Sequence, residues 1–276
     1  MQFNNKYINL LLFFFPFIFL FPYTFNFLAI GNDFELLYFS YKKYIFEFVK
    51  EGFFPLWSPS ESSGYSLVFN PFAQYFYLPS WVLYLIAFIK GSLTKYDYTI
   101  YTILGLSIYN IGQYKWLKKI NINPCYALTA TLITSCGLKL TEIIRFPNAV
   151  HCIAWFPWIL LGITLAQNNK EKFKSFFIIF FSSLMILTAG YPYYILYGII
   201  LFGLYYLFVS ITNTQYSLLG LSETTKQNKL TSFFICFFSP LTALVIASPW
   251  LININKIMSI TRDRNLNDIN FSFLHS

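Results

Sequence analysis

The sequence predicts an all-α polytopic membrane protein, and three observations carry that prediction. The 276 residues are 57% hydrophobic and only 11% charged, with a mean hydropathy of +0.54, whereas a soluble domain carries about a quarter charged residues. Eight apolar stretches follow one another along the chain, at 7–30, 72–89, 98–113, 124–140, 149–166, 176–189, 193–211 and 231–251. A helix needs about 20 such residues to cross a bilayer. Third, the lysines between these stretches sort to one side when the stretches are threaded through a membrane.

The first stretch, 7–30, reads as a retained transmembrane helix forming the unit 1–30. It is longer than the core of a signal peptide, and no small-x-small cleavage site follows it. Residues 34–50 have helical character, with Leu37, Tyr41, Tyr44 and Phe48 recurring at spacings of three and four and with Lys42, Lys43, Glu47 and Lys50 among them. Such a helix is expected along the membrane interface with its apolar face down. Pro55, Pro59, Ser60, Ser62, Ser63 and Gly64 then make a turn-rich stretch, and Asn70-Pro71 leads into the next apolar segment.

Charge decides whether 72–89 crosses. If all eight stretches cross with the N-terminus inside, then Lys115, Lys118, Lys119, Lys170, Lys172, Lys174, Lys226 and Lys229 fall outside, inverting the positive-inside rule. If 72–89 is instead a juxtamembrane or re-entrant helix, tolerable where protein covers its backbone, those lysines join Lys6 in the cytoplasm. The expectation is therefore about seven transmembrane helices, with juxtamembrane helices in an extracytoplasmic loop at 31–96. A helix bundle at 97–251 and an extracytoplasmic tail at 252–276 follow. Pro16, Pro22, Pro157 and Pro240 lie within apolar stretches, where neighbouring helices re-satisfy the freed carbonyls.

The formal net charge of +8 is accounted for by cytoplasmic loops, and no nucleic-acid partner is expected. Cys125, Cys136, Cys152 and Cys236 have no CxxC spacing and read as small packing residues. His151 and His275 stand apart, so no metal-ligand cluster is visible. No cofactor is implied, and a divalent metal has no support.

Candidate site residues gather on the expected outer face. Asp33 stands where the first apolar stretch ends, in Gly31-Asn32-Asp33-Phe34-Glu35, at the level where a lipid-bound substrate presents its headgroup. It either caps the following helix or meets substrate. Glu51 precedes the run Gly52-Phe53-Phe54-Pro55-Leu56-Trp57. It could position an acceptor or a metal, while Glu35 and Glu47 read as a solvated helix face. Trp57, Tyr65 and Tyr75 could stack on a sugar or line a lipid groove, or simply anchor the interface. Arg145, Arg262 and Arg264 are outer-face cations with Lys139 behind them, and pairing of Arg145 with Glu142 is the plainer alternative.

Several short motifs, in order, resemble the YfhO-like bacterial membrane proteins, relatives of the GT-C superfamily of glycosyltransferases that use lipid-linked sugars. They are the Gly31/Asp33 exit; Gly52, Pro55, Leu56, Trp57 and Pro59; Gly64; and Asn70-Pro71 with Tyr75, Tyr77 and Pro79. Phe146-Pro147-Asn148, Ala154-Trp155-Phe156-Pro157, Ala189-Gly190-Tyr191-Pro192 and the pair Ser259/Arg262 follow. Phe146-Pro147 stands where the family often has His-Pro. The chain ends soon after a motif that lies mid-protein in the family, which implies a fragment, a split gene or a shortened relative.

The resemblance implies an enzyme of the bacterial inner membrane. It would move a sugar from a polyprenyl-phosphate donor to a glycan or lipid acceptor of the cell envelope. Asp33 would be the general base that takes the acceptor hydroxyl proton. Arg262 first, with Arg145 and Arg264, would meet the donor phosphate, which suits the bidentate arginine fork, and Glu51 and Trp57 are further candidates for substrate contact. A lipid or polysaccharide flippase or transporter, and a non-catalytic assembly subunit, are the rival expectations.

Overall fold

The computed structural model describes residues 5–59, 64–137, 142–168, 171–211 and 229–260. Eleven α-helices are described: α1 (Asn5–Phe19), α2 (Phe21–Thr24), α3 (Ser40–Lys50), α4 (Leu78–Lys90), α5 (Lys95–Lys119), α6 (Pro124–Ser135), α7 (Pro147–Ile153), α8 (Phe156–Ala166), α9 (Lys172–Thr188), α10 (Pro192–Ile211) and α11 (Lys229–Ile260). A two-residue antiparallel ladder, Trp57–Ser58 with Tyr65–Ser66, pins the loop after α3.

α5 is the central element. Thr94 opens it with a capping box, in which its hydroxyl accepts from the Asp97 amide and the Asp97 carboxylate accepts from the Thr94 amide. Its polar side chains point at neighbouring helices. Ser107 Oγ donates to Phe13 O of α1 at 2.6 Å, and Asn110 Nδ2 donates to Ser135 Oγ of α6 at 3.1 Å. Gln113 Nε2 donates to Thr134 Oγ1 at 3.0 Å, and Trp158 Nε1 of α8 donates to Ile108 O at 3.0 Å. Glycines bring the backbones close: a Cβ on Gly112 would lie 2.6 Å from the Trp158 indole, and one on Gly105 2.8 Å from Val150. Small residues and interhelical hydrogen bonds are how helices associate where water supplies no driving force.

Among the described residues, three helical stretches are long and apolar enough to cross a membrane: Pro147–Ala166, Pro192–Ser210 and Leu230–Lys256. The first, made of α7 and α8, is mostly buried within the protein. The other two present most of their surface outward, with Leu196, Ile199, Ile200 and Leu204 of α10 and Val245 and Ile246 of α11 exposed. So much contiguous apolar surface is costly in water and ordinary in lipid.

The N-terminal stretch differs from expectation. Rather than one helix through residue 30, α1 ends at Phe19, the single-turn α2 follows, and the chain from Phe25 onward is non-helical. Pro22 cannot donate to an extended helix, and its carbonyl instead accepts from the Phe27 and Leu28 amides. Asn26 then takes a left-handed conformation at φ 60°.

Residues 34–50 are helical as expected, but the first turn, Phe34–Phe39, is π-wound and continues into α3. The extra residue per turn rotates the buried face onto Phe34, Tyr38, Phe39, Tyr41, Lys42, Ile45 and Phe46. The helix is therefore sunk into protein rather than laid on an interface. Lys42, expected among the solvated charges, is fully buried, while Lys43 and Glu47 are exposed. α4 follows a 3-10 turn, Pro71–Ala73, whose Asn70 side chain caps the Phe72 amide at 2.9 Å. At 13 residues and about 1.5 Å each, α4 spans about 20 Å, short of a hydrocarbon core of about 30 Å.

Charges segregate to the two ends of α5, which spans about 37 Å at about 1.5 Å per residue. At its N-terminal end acids and bases pair: Glu35 with Lys95, Lys90 with Asp97 at 2.8 Å, and Arg145 with Glu142 at 3.1 Å. Lys115, Lys118 and Lys119 stand at its C-terminal end, with Lys174 beside them. Glu171 pairs there with Lys119.

One close approach locks the loops together. Gly190 has φ +76°, and a Cβ there would fall 1.8 Å from Pro71 O and 3.0 Å from Asn148 Nδ2. Gly190→Ala is expected to lower stability by about 3 kcal/mol, at the upper end of single-substitution effects. Gly203→Ala, in α10 with nothing within 4 Å of its would-be Cβ, is expected to be neutral or stabilising. Thermal unfolding of the two variants in one detergent checks the contrast.

Candidate functional site

Below the loops lies a buried polar network that joins residues 31–96 to the bundle. Lys42 Nζ donates to Ala73 O at 3.1 Å and to Ser80 Oγ at 2.6 Å, and sits 5.8 Å from the Tyr84 ring centroid. Ser80 Oγ donates to Gln74 Oε1 at 3.3 Å and lies 3.1 Å from Tyr101 OH. Tyr101 OH donates to Gln74 Oε1 at 3.2 Å, and Gln74 Nε2 donates to Ala189 O at 2.7 Å. Gln74 reaches these partners because its backbone is left-handed, at φ 51°, which turns the chain between the 3-10 turn and α4.

A second branch runs through His151. Its Nε2 lies 3.1 Å from Tyr101 O and its Nδ1 3.1 Å from Tyr77 OH. A carbonyl only accepts, so Nε2 carries the proton and Nδ1 accepts from Tyr77. The Tyr77 oxygen accepts in turn from Trp155 Nε1 at 3.0 Å, and the His151 ring stacks on Tyr101 with centroids 4.0 Å apart. Beside this network the hydroxyls of Tyr84 and Tyr98 are buried without a hydrogen-bond partner.

No carboxylate is among the described hydrogen-bond and ion-pair partners of Lys42, and burial lowers its affinity for a proton well below that of an ordinary lysine. Sequence position alone carried a signal for this burial. Tyr38, Lys42, Ile45 and Val49 follow the i, i+4, i+7, i+11 stripe of one helix face, whose other members are apolar or aromatic. His151 stands alone in sequence; its partners Tyr77 and Tyr101 come from two other segments, and no local spacing reveals them.

Above the network is an exposed patch that contains two of the expected site residues. Asn32, left-handed at φ 57°, turns the chain into the π-wound helix and leaves Asp33 exposed at its start. The Asp33 side chain makes no capping hydrogen bond, so the capping alternative is not realised. Its charge acts on the hydroxyls of Tyr38 and Tyr191. Burial first, then Tyr194, Tyr193 and Asp33, hold the Tyr191 hydroxyl above the ordinary tyrosine value, while Arg145 acts in the opposite sense. Asp33 and Arg145 thus both act on Tyr191. Tyr38 meets Phe72 edge-on at 5.8 Å, and Phe72 O accepts from Asn148 Nδ2 at 3.1 Å, which ties this patch to the network below. Arg145 also forms the expected pair with Glu142 and lies 4.9 Å from the Phe146 ring centroid.

The remaining expected residues separate from this patch. Glu51 is exposed beyond the last turn of α3, about 25 Å from Asp33 along the intervening helix at about 1.5 Å per residue. Trp57 is exposed and lies over Gly64, where a Cβ would fall 2.5 Å from the indole nitrogen. Tyr75, a candidate for stacking on a sugar, lining a lipid groove or anchoring the interface, is buried, edge-on to Trp81 at 6.0 Å, with its carbonyl accepting from Trp81 Nε1 at 2.8 Å. Glu35 pairs with Lys95. Arg262, Arg264, Lys139 and the 261–276 tail lie outside the described residues, as do the side chains of Tyr65 and Ser259.

Among the described residues no three His, Cys, Asp or Glu side chains gather as a metal site requires, and the cysteines are free. No family model matches the chain, and neither a curated protein nor a solved structure matches it.

Because the native fold disfavours protonated Lys42, the unfolded chain binds more protons between the lowered native value and the ordinary lysine value. Stability is therefore expected to rise with pH across that window and to level off above it. Melting temperatures from pH 7 to about pH 10 should climb less steeply for Lys42→Met than for the wild type.

Proposed function

We propose that the chain is a multi-pass protein of the bacterial inner membrane. In this topology seven segments cross, and 31–96 lies on the extracytoplasmic face. The paired charges at one end of α5 and the lysine excess at the other support this orientation, and the short α4 supports a segment that enters without crossing. The activity proposed is transfer of a sugar from a polyprenyl-phosphate donor to a cell-envelope acceptor, as the resemblance to the YfhO-like and GT-C proteins implies.

The observation that carries this proposal is the Asp33 carboxylate, exposed at the start of the π-wound turn and making no capping hydrogen bond. In the proposed reaction Asp33 takes the proton from an acceptor hydroxyl as that oxygen attacks the anomeric carbon. The sugar–phosphate bond breaks, and the electron pair leaves with the lipid phosphate. Arg145 stabilises the departing phosphate. The proposed site is assigned to Asp33 and Arg145, with the buried Tyr75 and the distant Glu51 taking no part.

A second proposal, a flippase or transporter, is favoured by one observation. Lys42 and His151 are buried ionisable groups that both reach Tyr101, Lys42 through Ser80 to its hydroxyl and His151 directly to its carbonyl, and buried ionisable groups of this kind serve transport. Asp33 would be dispensable in such a protein.

Asp33→Asn removes the base at an exposed position that makes no capping bond, so expression and melting temperature should be unchanged. Transfer of a radiolabelled sugar from a polyprenyl-phosphate donor in membranes should fall by about 10²- to 10⁴-fold. Arg145→Gln should reduce turnover, whereas Glu51→Gln should leave it within about twofold of wild type. Full activity in the Asp33→Asn variant would remove the glycosyltransferase assignment of this site.

A further inference from the structure

At the opposite end of α5 a cleft of about 410 Å³ opens between α1, α5, α8 and α9, within the size range of small-ligand pockets. Four lysines line it, Lys115, Lys118, Lys119 and Lys174, against one carboxylate, Glu171. Glu171 is already engaged by Lys119 and by Asn168 Nδ2 at 3.0 Å. Lys115 lies 4.9 Å from the Trp158 ring centroid. Burial and the nearby Lys174 charge both lower its proton affinity, which places two like charges across the cleft.

Two buried polar atoms in the lining have no partner. Tyr114 is 2% exposed and its hydroxyl is unsatisfied, as is the side-chain oxygen of Asn9. The Tyr114 hydroxyl is a free donor. Asn9 presents its amide nitrogen at the same place when the side-chain amide is rotated, an assignment that shape does not fix. An unsatisfied buried hydroxyl donor beside an excess of ammonium groups calls for a multivalent oxyanion. Leu161, Leu165 and Ile178 line the same cleft, so the anion belongs to a group that also has apolar surface.

We propose that this cleft binds a phosphate group, as the headgroup of an anionic lipid or as a free phosphate anion. Lys115 and Lys174 clamp the phosphate, Tyr114 donates to one of its oxygens, and the aliphatic side chains meet the adjoining chain or glycerol. Basic pockets between membrane helices on the cytoplasmic side bind anionic headgroups by this chemistry. The site is separate from the Asp33 patch and does not depend on the activity proposed there.

The test uses the full chain in neutral detergent, with short-chain phosphatidylglycerol and inorganic phosphate as probes, phosphatidylcholine as the control lipid, and intrinsic tryptophan fluorescence as the readout. Saturable binding of phosphatidylglycerol or phosphate, but not of phosphatidylcholine, is expected. Lys115→Gln/Lys174→Gln should weaken it about 30-fold, from about fivefold per lysine. Glu171→Gln, which removes the competing carboxylate, should tighten it severalfold, an effect that misfolding cannot mimic. Displacement of phosphatidylglycerol by equimolar phosphate assigns the site to the free anion, and resistance to about 100-fold excess assigns it to the lipid. Failure of both probes to saturate, equal affinity in the double lysine variant, or no gain in Glu171→Gln overturns the proposal.

Discussion

The loops at the Asp33 end of the molecule are held by backbone carbonyls that side-chain amides reach, and this depends on Gly190 having no Cβ. Pro71 O lies where that Cβ would be. From this contact Asn148 Nδ2 reaches both Phe72 O and Gly190 O, and Gln74 Nε2 reaches Ala189 O. Trp250 of α11 closes the same assembly from another side by donating to Val68 O at 2.6 Å. A buried carbonyl left unpaired costs about 1–3 kcal/mol, so these amides and the indole hold the loop by the cost of releasing it. The Asp33 patch inherits its geometry from that hold, since Tyr38 packs on Phe72.

Lys42 belongs to the same construction but on different terms. Its ammonium form would be penalised by burial, and its hydrogen bonds go to a carbonyl and a hydroxyl rather than to an acid. A hydrophobic residue of similar volume would fit the neighbourhood of Ile45 and Phe46, but it would leave Ala73 O without this donor. The lysine therefore defines where α3 meets the turn before α4.

Much of the helical layout was legible in the sequence because apolar runs and prolines mark helix bodies directly. The stretches at 98–113, 193–211 and 231–251 fall inside α5, α10 and α11, and 176–189 overruns the end of α9 by one residue. What was not legible depended on pairs distant in sequence. The break after Phe19 arises from Pro22 and a left-handed Asn26 inside an apolar run that reads as continuous. Burial of Tyr75 needs Trp81, and burial of Lys42 needs Ser80. The short motifs Asn70-Pro71, Phe146-Pro147-Asn148 and Ala189-Gly190-Tyr191-Pro192 looked independent, yet Asn148 and Gly190 meet Pro71 and Phe72. Asp33 could be placed at a helix start from sequence, but its failure to cap required the fold.

The separation of charge along α5 has an energetic meaning of its own. Lys6, Lys115, Lys118, Lys119, Lys172 and Lys174 against Glu171 leave five net positive charges among the described residues of that end. In the orientation proposed above, with a membrane potential of about 100 mV, negative inside, carrying each charge outward requires about 2.3 kcal/mol, or about 12 kcal/mol for the group. The paired end carries almost none of this load. The electric field of the living membrane would then act as a ratchet on orientation during insertion, opposing inversion of the chain once one end has been delivered.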